Sequence, residues 1–265
     1  MDQLSSQKDQ AYLQSGVSVT EDVAVIAHDD HHFSSPRHSH HRAQLLYAVS
    51  GVISLTTSSG TWVVPPSRAV WLPPNLEHVT TSHTSVQFRS LLIDAESDAA
   101  LPKDCMVVEV TPLLRELILR LAELVGQPDR PEMANGVIRL LLLELSFLPA
   151  QPLNLPMPTH TALAEFCHWM RKDLARELSI EQAAQQLHMS RATFMRLFQR
   201  ETGLSFGKWR QQARMLKALA LLAEEKSVLE VALECGYDSP SAFSAMFRRS
   251  LGRSPRDYFQ SALTA

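Results

Sequence analysis

The chain has 265 residues and only three cysteines, Cys105, Cys167 and Cys235, which lie far apart without a C-x-x-C. So few thiols, and an odd number, exclude a disulfide framework and point to a reducing cytoplasm. No stretch approaches the ~18 consecutive apolar residues of a membrane span. The longest candidate, 140–148, is broken by Glu144 and Ser146. The first residues, MDQLSSQKDQ, lack a basic segment followed by an apolar run, so no secretory signal is read and no membrane partner is expected. Positive charge is also missing on average: the formal net charge is −3, which alone argues against a nucleic-acid binder.

That average hides a split. Residues 1–158 carry 10 Lys+Arg against 17 Asp+Glu, and residues 159–265 carry 15 against 11, so the halves stand at −7 and +4. Six of the eleven histidines fall between His28 and His41. With 45% hydrophobic residues the chain can bury a core, and its length suits about two domains.

Residues 1 to about 20 are polar and unpatterned, and read as a flexible N-terminus. From about 21 to 110 short apolar runs alternate with turn signals such as Ser50-Gly51, Ser58-Ser59-Gly60 and Pro73-Pro74-Asn75. Many short strands at regular spacing predict a small β-barrel or jelly roll. At Thr111 the period changes to helical: Leu113, Leu114, Leu117, Ile118, Leu121 and Leu124 form one stripe, and a second helix, about 132–147, is apolar on most sides. Such a helix is expected to be buried on most sides, by its own domain or by a partner subunit in a homodimer. Four prolines within 149–158 predict a semi-rigid linker. The overall class is α+β, with an all-α half over 159–265.

In that half Ser179 and Gln182 form a capping signal for a short helix. His188-Met189-Ser190 turns into a second helix with Phe194, Leu197 and Phe198 inward. Its outward face holds Arg191, Thr193, Met195, Arg196, Gln199 and Arg200. A long helix from Phe206 follows, and the pattern repeats: Ser227 caps one helix, Cys235-Gly236-Tyr237 turns, and Ser239-Pro240 open another with Phe243, Met246 and Phe247 inward. These are two helix-turn-helix units joined by a helix.

The residues Ala183-Ala184, Met189-Ser190, Arg196-Leu197-Phe198, Glu201-Thr202-Gly203, Arg214, Leu221-Leu222, Cys235-Gly236-Tyr237, Phe247-Arg248-Arg249 and Gly252-Arg253-Ser254-Pro255 resemble the DNA-binding domain of the AraC/XylS transcriptional regulators, over roughly 100 residues. The resemblance implies a sequence-specific factor on double-stranded promoter DNA, with two recognition helices in successive major grooves about 34 Å apart. Arg196 is the foremost base reader, since Arg pairs bidentately with guanine. Arg191, Thr193 and Gln199 are weaker candidates, Met195 suits a thymine methyl, and Ser190 and Arg200 flank them. In the second unit Ser239, Ser241 and Ser244 are small, and Ala245 stands where the family often has a long polar side chain. That unit, with Ser239, Ser241 and Ser244 among its DNA-binding candidates, is expected mainly to position the protein on phosphates, with Arg248, Arg249 and Arg253 nearby. RNA polymerase is a further partner if the protein activates.

In the acidic half, His38, His40 and Gln44 followed by Gly51 resemble the first cupin motif, and Pro73-Pro74-Asn75 with His78 the second. Gln44 replaces the usual glutamate and Asn75 a glycine. Residues 38, 40 and 44 share parity, so one extended strand would point them to one face. Three imidazoles and an amide oxygen suit Zn, Ni, Fe or Mn. A metal-free pocket for a small-molecule effector and plain surface histidines remain alternatives. Leu46, Trp62 and Trp71 are weaker pocket candidates, each more easily read as core. His28, His31, His32 and His41 read as solvated loop, and the cysteines as buried fillers. A metal-dependent cupin enzyme fused to a DNA-binding domain is the alternative function; no general base stands out for it, and the protein is read as no enzyme. An architectural DNA binder fits an acidic, pocket-forming domain poorly.

Overall fold

The computed structural model describes residues 17–260 apart from 21, 31, 32, 83, 95–100, 126, 128 and 149–152. The flexible N-terminus up to residue 16, His31 and His32, and the start of the proline-rich linker therefore lie outside the described residues.

Eleven strands are described: β1 (Val17–Ser18), β2 (Val23–Asp30), β3 (Ala43–Ser50), β4 (Ile53–Thr57), β5 (Gly60–Val64), β6 (Arg68–Leu72), β7 (His78–Ser82), β8 (Val86–Ile93), β9 (Met106–Glu109), β10 (Phe147–Leu148) and β11 (Asn154–Pro156). They form a seven-stranded sheet, β1-β2-β8-β3-β6-β9-β10, and a four-stranded one, β11-β5-β4-β7. Neither sheet closes on itself among the described residues, so the expected barrel is corrected to two open sheets. The large sheet ends in β1 and β10, strands of two residues each, which offer little edge to pair and close it. Helices α1 (Pro112–Leu124) and α2 (Pro131–Glu144) cover one face of the large sheet.

Parity divides that sheet. Val23, Val25, Ala43, Leu45, Tyr47, Trp71, Leu91 and Ile93 pack with Leu114, Ile118 and Leu121 of α1 and Leu141 of α2. Each fully buried leucine contributes roughly 2 kcal/mol. The alternate residues, Ile26, Gln44, Leu46, Val70, Phe88 and Ser90, belong to the other face. Register pairs Gln44 with Leu72 and Leu92, and Leu46 with Val70 and Ser90. Thr111 caps α1 by accepting from the Leu114 N–H at 3.1 Å.

Helix α2 departs from its expected all-round burial. Ala134 and Leu141 are buried, and Val137, Ile138 and Leu142 are partly buried against the core. Met133, Leu140 and Leu143 face outward, Leu143 being 76% exposed, with Leu113 of α1 46% exposed. The apolar sequence exceeds what one domain covers.

The described residues divide into two compact units, one of those within 17–55 and 64–148, the other of those within 56–63 and 153–260. In the second, β11 pairs antiparallel with β5, Leu155 opposite Thr61. The later part of the expected linker is thus strand. The rest of the unit is helical: α3 (Thr161–Lys172), α4 (Ile180–Gln186), α5 (Arg191–Thr202), α6 (Phe206–Ala223), α7 (Val228–Glu234), α8 (Pro240–Leu251) and α9 (Pro255–Gln260). Ser179 with Gln182 and Ser227 with Glu230 form complete capping boxes, and Ser190, Ser205 and Ser239 cap α5, α6 and α8. Phe166, Phe194, Phe198, Phe206 and Trp209 form one aromatic cluster, and Tyr237, Phe243, Phe247 and Tyr258 another.

Candidate metal centre and nucleic-acid interface

His38 and His78 exchange backbone hydrogen bonds across an isolated antiparallel bridge, His38 N–H to the His78 carbonyl at 3.1 Å and the reverse at 2.9 Å. The left-handed turn at Asn75 (φ 62°) directs its own N–H to the His40 carbonyl at 2.8 Å. The two histidine segments are therefore fastened by backbone. The ring centroids lie 4.2 Å (His38–His78), 5.2 Å (His40–His78) and 6.0 Å (His38–His40) apart. One nitrogen from each ring lies within 4.8 Å of the others.

The remaining nitrogens say which. His38 Nδ1 meets the Pro36 carbonyl at 2.8 Å, His40 Nδ1 the Arg42 carbonyl at 2.6 Å and His78 Nδ1 the Leu76 carbonyl at 2.9 Å. A carbonyl only accepts, so at His38 and His78 Nδ1 carries the proton and Nε2 is left with a lone pair, whereas His40 has an acceptor at each ring nitrogen, the Arg42 carbonyl and the Gln44 amide oxygen. His78 Nε2 is buried and has no hydrogen-bond partner. Burial holds the His78 imidazole down at about 4 and lowers that of His38, so both are neutral at pH 7. A neutral, pre-oriented imidazole with its second nitrogen bonded to a carbonyl is the form that ligates metal.

Gln44 completes the cluster. It is 4% exposed; its Nε2 donates to the Ser90 hydroxyl at 2.7 Å, and its Oε1 lies 3.1 Å from His40 Nε2. That oxygen accepts from a proton on His40 Nε2, or shares a cation with the ring once that proton is lost. Beside them Ile26, Phe33, Ser35, Thr80, Phe88 and Leu92 close a cavity of about 20 Å³.

Three expectations are corrected here. His38, His40 and Gln44 do not share one continuous strand, because β3 begins at Ala43 and the chain bends at His41-Arg42, where His40 closes on the Arg42 carbonyl. Trp71 points away from the cavity: it lies in the helix-covered core, and its indole N–H donates to the Pro102 carbonyl at 2.9 Å. Leu46 and Trp62 are buried and do not line the cavity. Outside the cluster, His28 lies on β2 rather than in a loop, and His41 is exposed. Sequence reading missed Ser90, the residue that orients Gln44. Its signal was the small polar residue at an apolar position of β8, opposite Leu46.

In the second unit the outward residues of α5 differ in how they are occupied. Arg191 pairs with Glu181 at 3.2 Å, Gln199 donates to the Gly203 carbonyl at 2.8 Å and Arg200 pairs with Glu201 at 3.3 Å. Ser190 accepts from the Thr193 N–H at 3.1 Å, and the two hydroxyls meet at 2.9 Å. Arg196 is exposed and makes neither a hydrogen bond nor an ion pair among the described residues; Met195 beside it is 44% exposed. On α8, Ser241 and Ala245 are exposed and Ser244 is half-buried, with exposed Arg248, Arg249 and Arg253 at and beyond its C-terminal end. Ser239 is spent as the cap, accepting from the Ala242 N–H at 3.2 Å.

Comparisons with known proteins agree with both halves. A helix-turn-helix domain family matches residues 183–261, and the AraC-like ligand binding domain family matches 22–198. The chain is 36% identical over 225 residues to the HTH-type transcriptional regulator NimR of Escherichia coli (strain K12), covering 85% of this chain and 82% of that protein. It is 31% identical over 175 residues to the HTH-type transcriptional activator RhaS of Escherichia coli (strain SE11), covering 64% and 62%. A crystal structure of ToxT from Vibrio cholerae with a bound unsaturated fatty acid aligns with 14% identity and a TM-score of 0.38, over 90% of this chain and 93% of that one. The two domain matches together span nearly the whole described chain, and the chain belongs to the AraC/XylS family of transcriptional regulators, as a DNA-binding transcription factor and not an enzyme.

Proposed function

We propose that the protein regulates promoters in response to a divalent transition metal ion bound by His38, His40 and His78, with Gln44 Oε1 beside them. One observation carries the reading: His38, His40 and His78 each bring one ring nitrogen within 4.8 Å of the others, with every Nδ1 bonded to a backbone carbonyl, beside a cavity of about 20 Å³. That volume admits about one water-sized occupant. Organic ligands need pockets of roughly 300–1,000 Å³. The size therefore favours the ion itself as effector over a small organic molecule at this place. Imidazole-rich sites suit Zn, Ni or Fe, and the neutral Gln44 disfavours harder ions such as Mn.

The ion acts on transcription only through different affinities for DNA-competent and incompetent arrangements. The outward leucines of α1 and α2, Leu113, Leu140 and Leu143, are the surface we assign to a homodimer. A Leu143→Glu change should shift the protein toward monomer in sedimentation. The compartment is the cytoplasm, where promoter DNA is; no helix among the described residues is long and apolar enough to cross a membrane.

The test is titration of the full chain with Zn²⁺, Ni²⁺, Fe²⁺ and Mn²⁺, with a His38→Ala, His40→Ala, His78→Ala variant beside it. Saturation near one ion per chain, lost in the variant and accompanied by a changed gel shift on the protein's own upstream DNA, is expected. Binding retained by the variant, or no effect of bound ion on the gel shift, would overturn the reading.

A further inference from the structure

The two helix-turn-helix units, α4–α5 and α7–α8, are joined by α6, which at 18 residues spans roughly 27 Å. A helix attached only at its ends would let each unit rock about its own turn. The structure instead ties both units to one face of α6. Arg210 donates to the carbonyls of Leu178 at 2.9 Å and Arg176 at 2.7 Å, and Arg214 Nε donates to that of Leu174 at 2.9 Å. All three carbonyls lie in the segment leading into α4. Lys217 Nζ donates to the Glu234 carbonyl at 2.8 Å, at the end of α7. Residues 210, 214 and 217 share a helix face by their spacing. These cations are spent inside the domain on backbone carbonyls, Lys217 also pairing with the Glu234 carboxylate at 4.0 Å.

Arg214 bridges by side chain the segment leading into α4 and the turn of the second unit. Its guanidinium lies over the Tyr237 ring, 5.6 Å from the centroid, while its Nε holds Leu174. Beside it the turn of the second unit touches the segment that leads into the first. Gly236 (φ +72°) comes so near Ala175 that a Cβ there would sit 2.7 Å from the Ala175 Cα and 2.9 Å from Arg214 Nη2. Only glycine fits that contact, on both conformational and steric grounds.

We propose that Arg214 is a positioning residue that fixes the separation and rotation of the two recognition helices, so that the protein reads the spacing between two DNA elements as well as their sequences. Inserting one base pair moves the second element about 3.4 Å along and about 34° around the duplex. A locked pair of helices cannot follow that change; a pair released at Arg214 can. A residue that merely stabilised the domain would weaken binding at every spacing alike.

The experiment uses the full-length protein and a composite site selected from a pool of random duplexes. Affinity is measured on that site and on versions with one base pair inserted or deleted between the elements. For the unaltered protein a loss of ten-fold or more on respacing is expected. In Arg214→Gln the ratio between native and altered spacing should fall at least five-fold. Tyr237→Leu, which leaves the Arg214 backbone bond in place, should shift the ratio in the same direction by less. Circular dichroism checks folding. If Arg214→Gln does not fold, Arg214→Lys and Tyr237→Leu decide. An unchanged ratio in the folded variants, with affinity lowered equally at all spacings or not at all, would overturn the proposal. The inference rests on both units reading DNA. Equal affinity of the unaltered protein for a duplex bearing one element and for the composite site would remove that premise, independently of Arg214.

Discussion

The Gln44 amide nitrogen donates to the Ser90 hydroxyl across β3 and β8 at 2.7 Å, and this one bond turns the amide oxygen toward His40. Gln44→Glu would place a carboxylate among three imidazoles. A buried carboxylate without a cation costs stability, and with one it is a stronger ligand than an amide. The variant should bind Zn²⁺ about ten-fold or more tightly, by analogy with the 10–100-fold effects of residues around metal sites. Without metal it should lose about 1–3 kcal/mol. Chelator competition and melts with and without EDTA read the two effects. Tighter binding without apo destabilisation would mean that Gln44 is not packed as described.

Ser90 gives a companion test. Ser90→Ala leaves the Gln44 amide buried without its partner, at a cost of about 1–3 kcal/mol. The amide is then free to turn, and metal affinity should fall roughly ten-fold or more. Denaturant unfolding and metal titration of one preparation suffice, and an unchanged affinity would remove Ser90 from the site.

Trp71 separates the helix-covered core from the metal site. Trp71→Phe leaves the Pro102 carbonyl without its indole donor and shrinks the side chain. It should cost about 1–3 kcal/mol in unfolding experiments. Metal affinity should stay within two-fold, because the residue lies on the opposite face of the sheet from Gln44. A large loss of metal binding in a folded variant would place Trp71 back at the cavity.

Acid sensitivity is expected where α5 meets the start of α3. Glu201 accepts from the Thr159 hydroxyl at 2.8 Å, the His160 N–H at 3.1 Å and the Thr159 N–H at 3.2 Å, and these bonds, the hydroxyl foremost, hold its carboxyl below the ordinary range. A carboxylate whose folded pKa is depressed stabilises above its unfolded pKa, and the gain disappears as pH falls through the folded value. Glu201→Gln should therefore melt lower than the unaltered chain at pH 7. The gap should close below about pH 4.3, the ordinary glutamate value. A gap independent of pH would assign the loss to shape rather than charge.

The helical half was legible because its signals are local. Ser179 with Gln182 and Ser227 with Glu230 state where helices begin, and the structure shows both capping boxes formed. The sheets were less so. Strand spacing announces β2–β8 but not whether they close, which depends on the edge strands; here the large sheet ends in β1 and β10, of two residues each. Strand β11 was hidden because prolines read as linker, yet an edge position tolerates Pro156. At the metal site, motif spacing found the histidines. It could not find that Trp71 faces the other way, because the turns before β6 set its parity, or that Ser90 holds Gln44 from 46 residues away.

The last prediction concerns how the two reading units divide their work. Arg196 is exposed and uncommitted among the described residues, whereas Gln199 and Arg200 are held at the C-terminal end of α5. Base contacts come from the early part of a recognition helix. Arg196→Ala should cost about 1–3 kcal/mol on the best site and relax the preference at one base position. Ser244→Ala should do neither, since the hydroxyl is short and half-buried on α8. Arg248→Ala and Arg249→Ala should weaken all sequences alike, each lowering the slope of log affinity against log salt by about one. Binding assays on a series of single-base variants at two salt concentrations separate these behaviours. If Ser244→Ala relaxes base preference more than Arg196→Ala does, the second unit is the stronger base reader and the ranking of the two units is reversed.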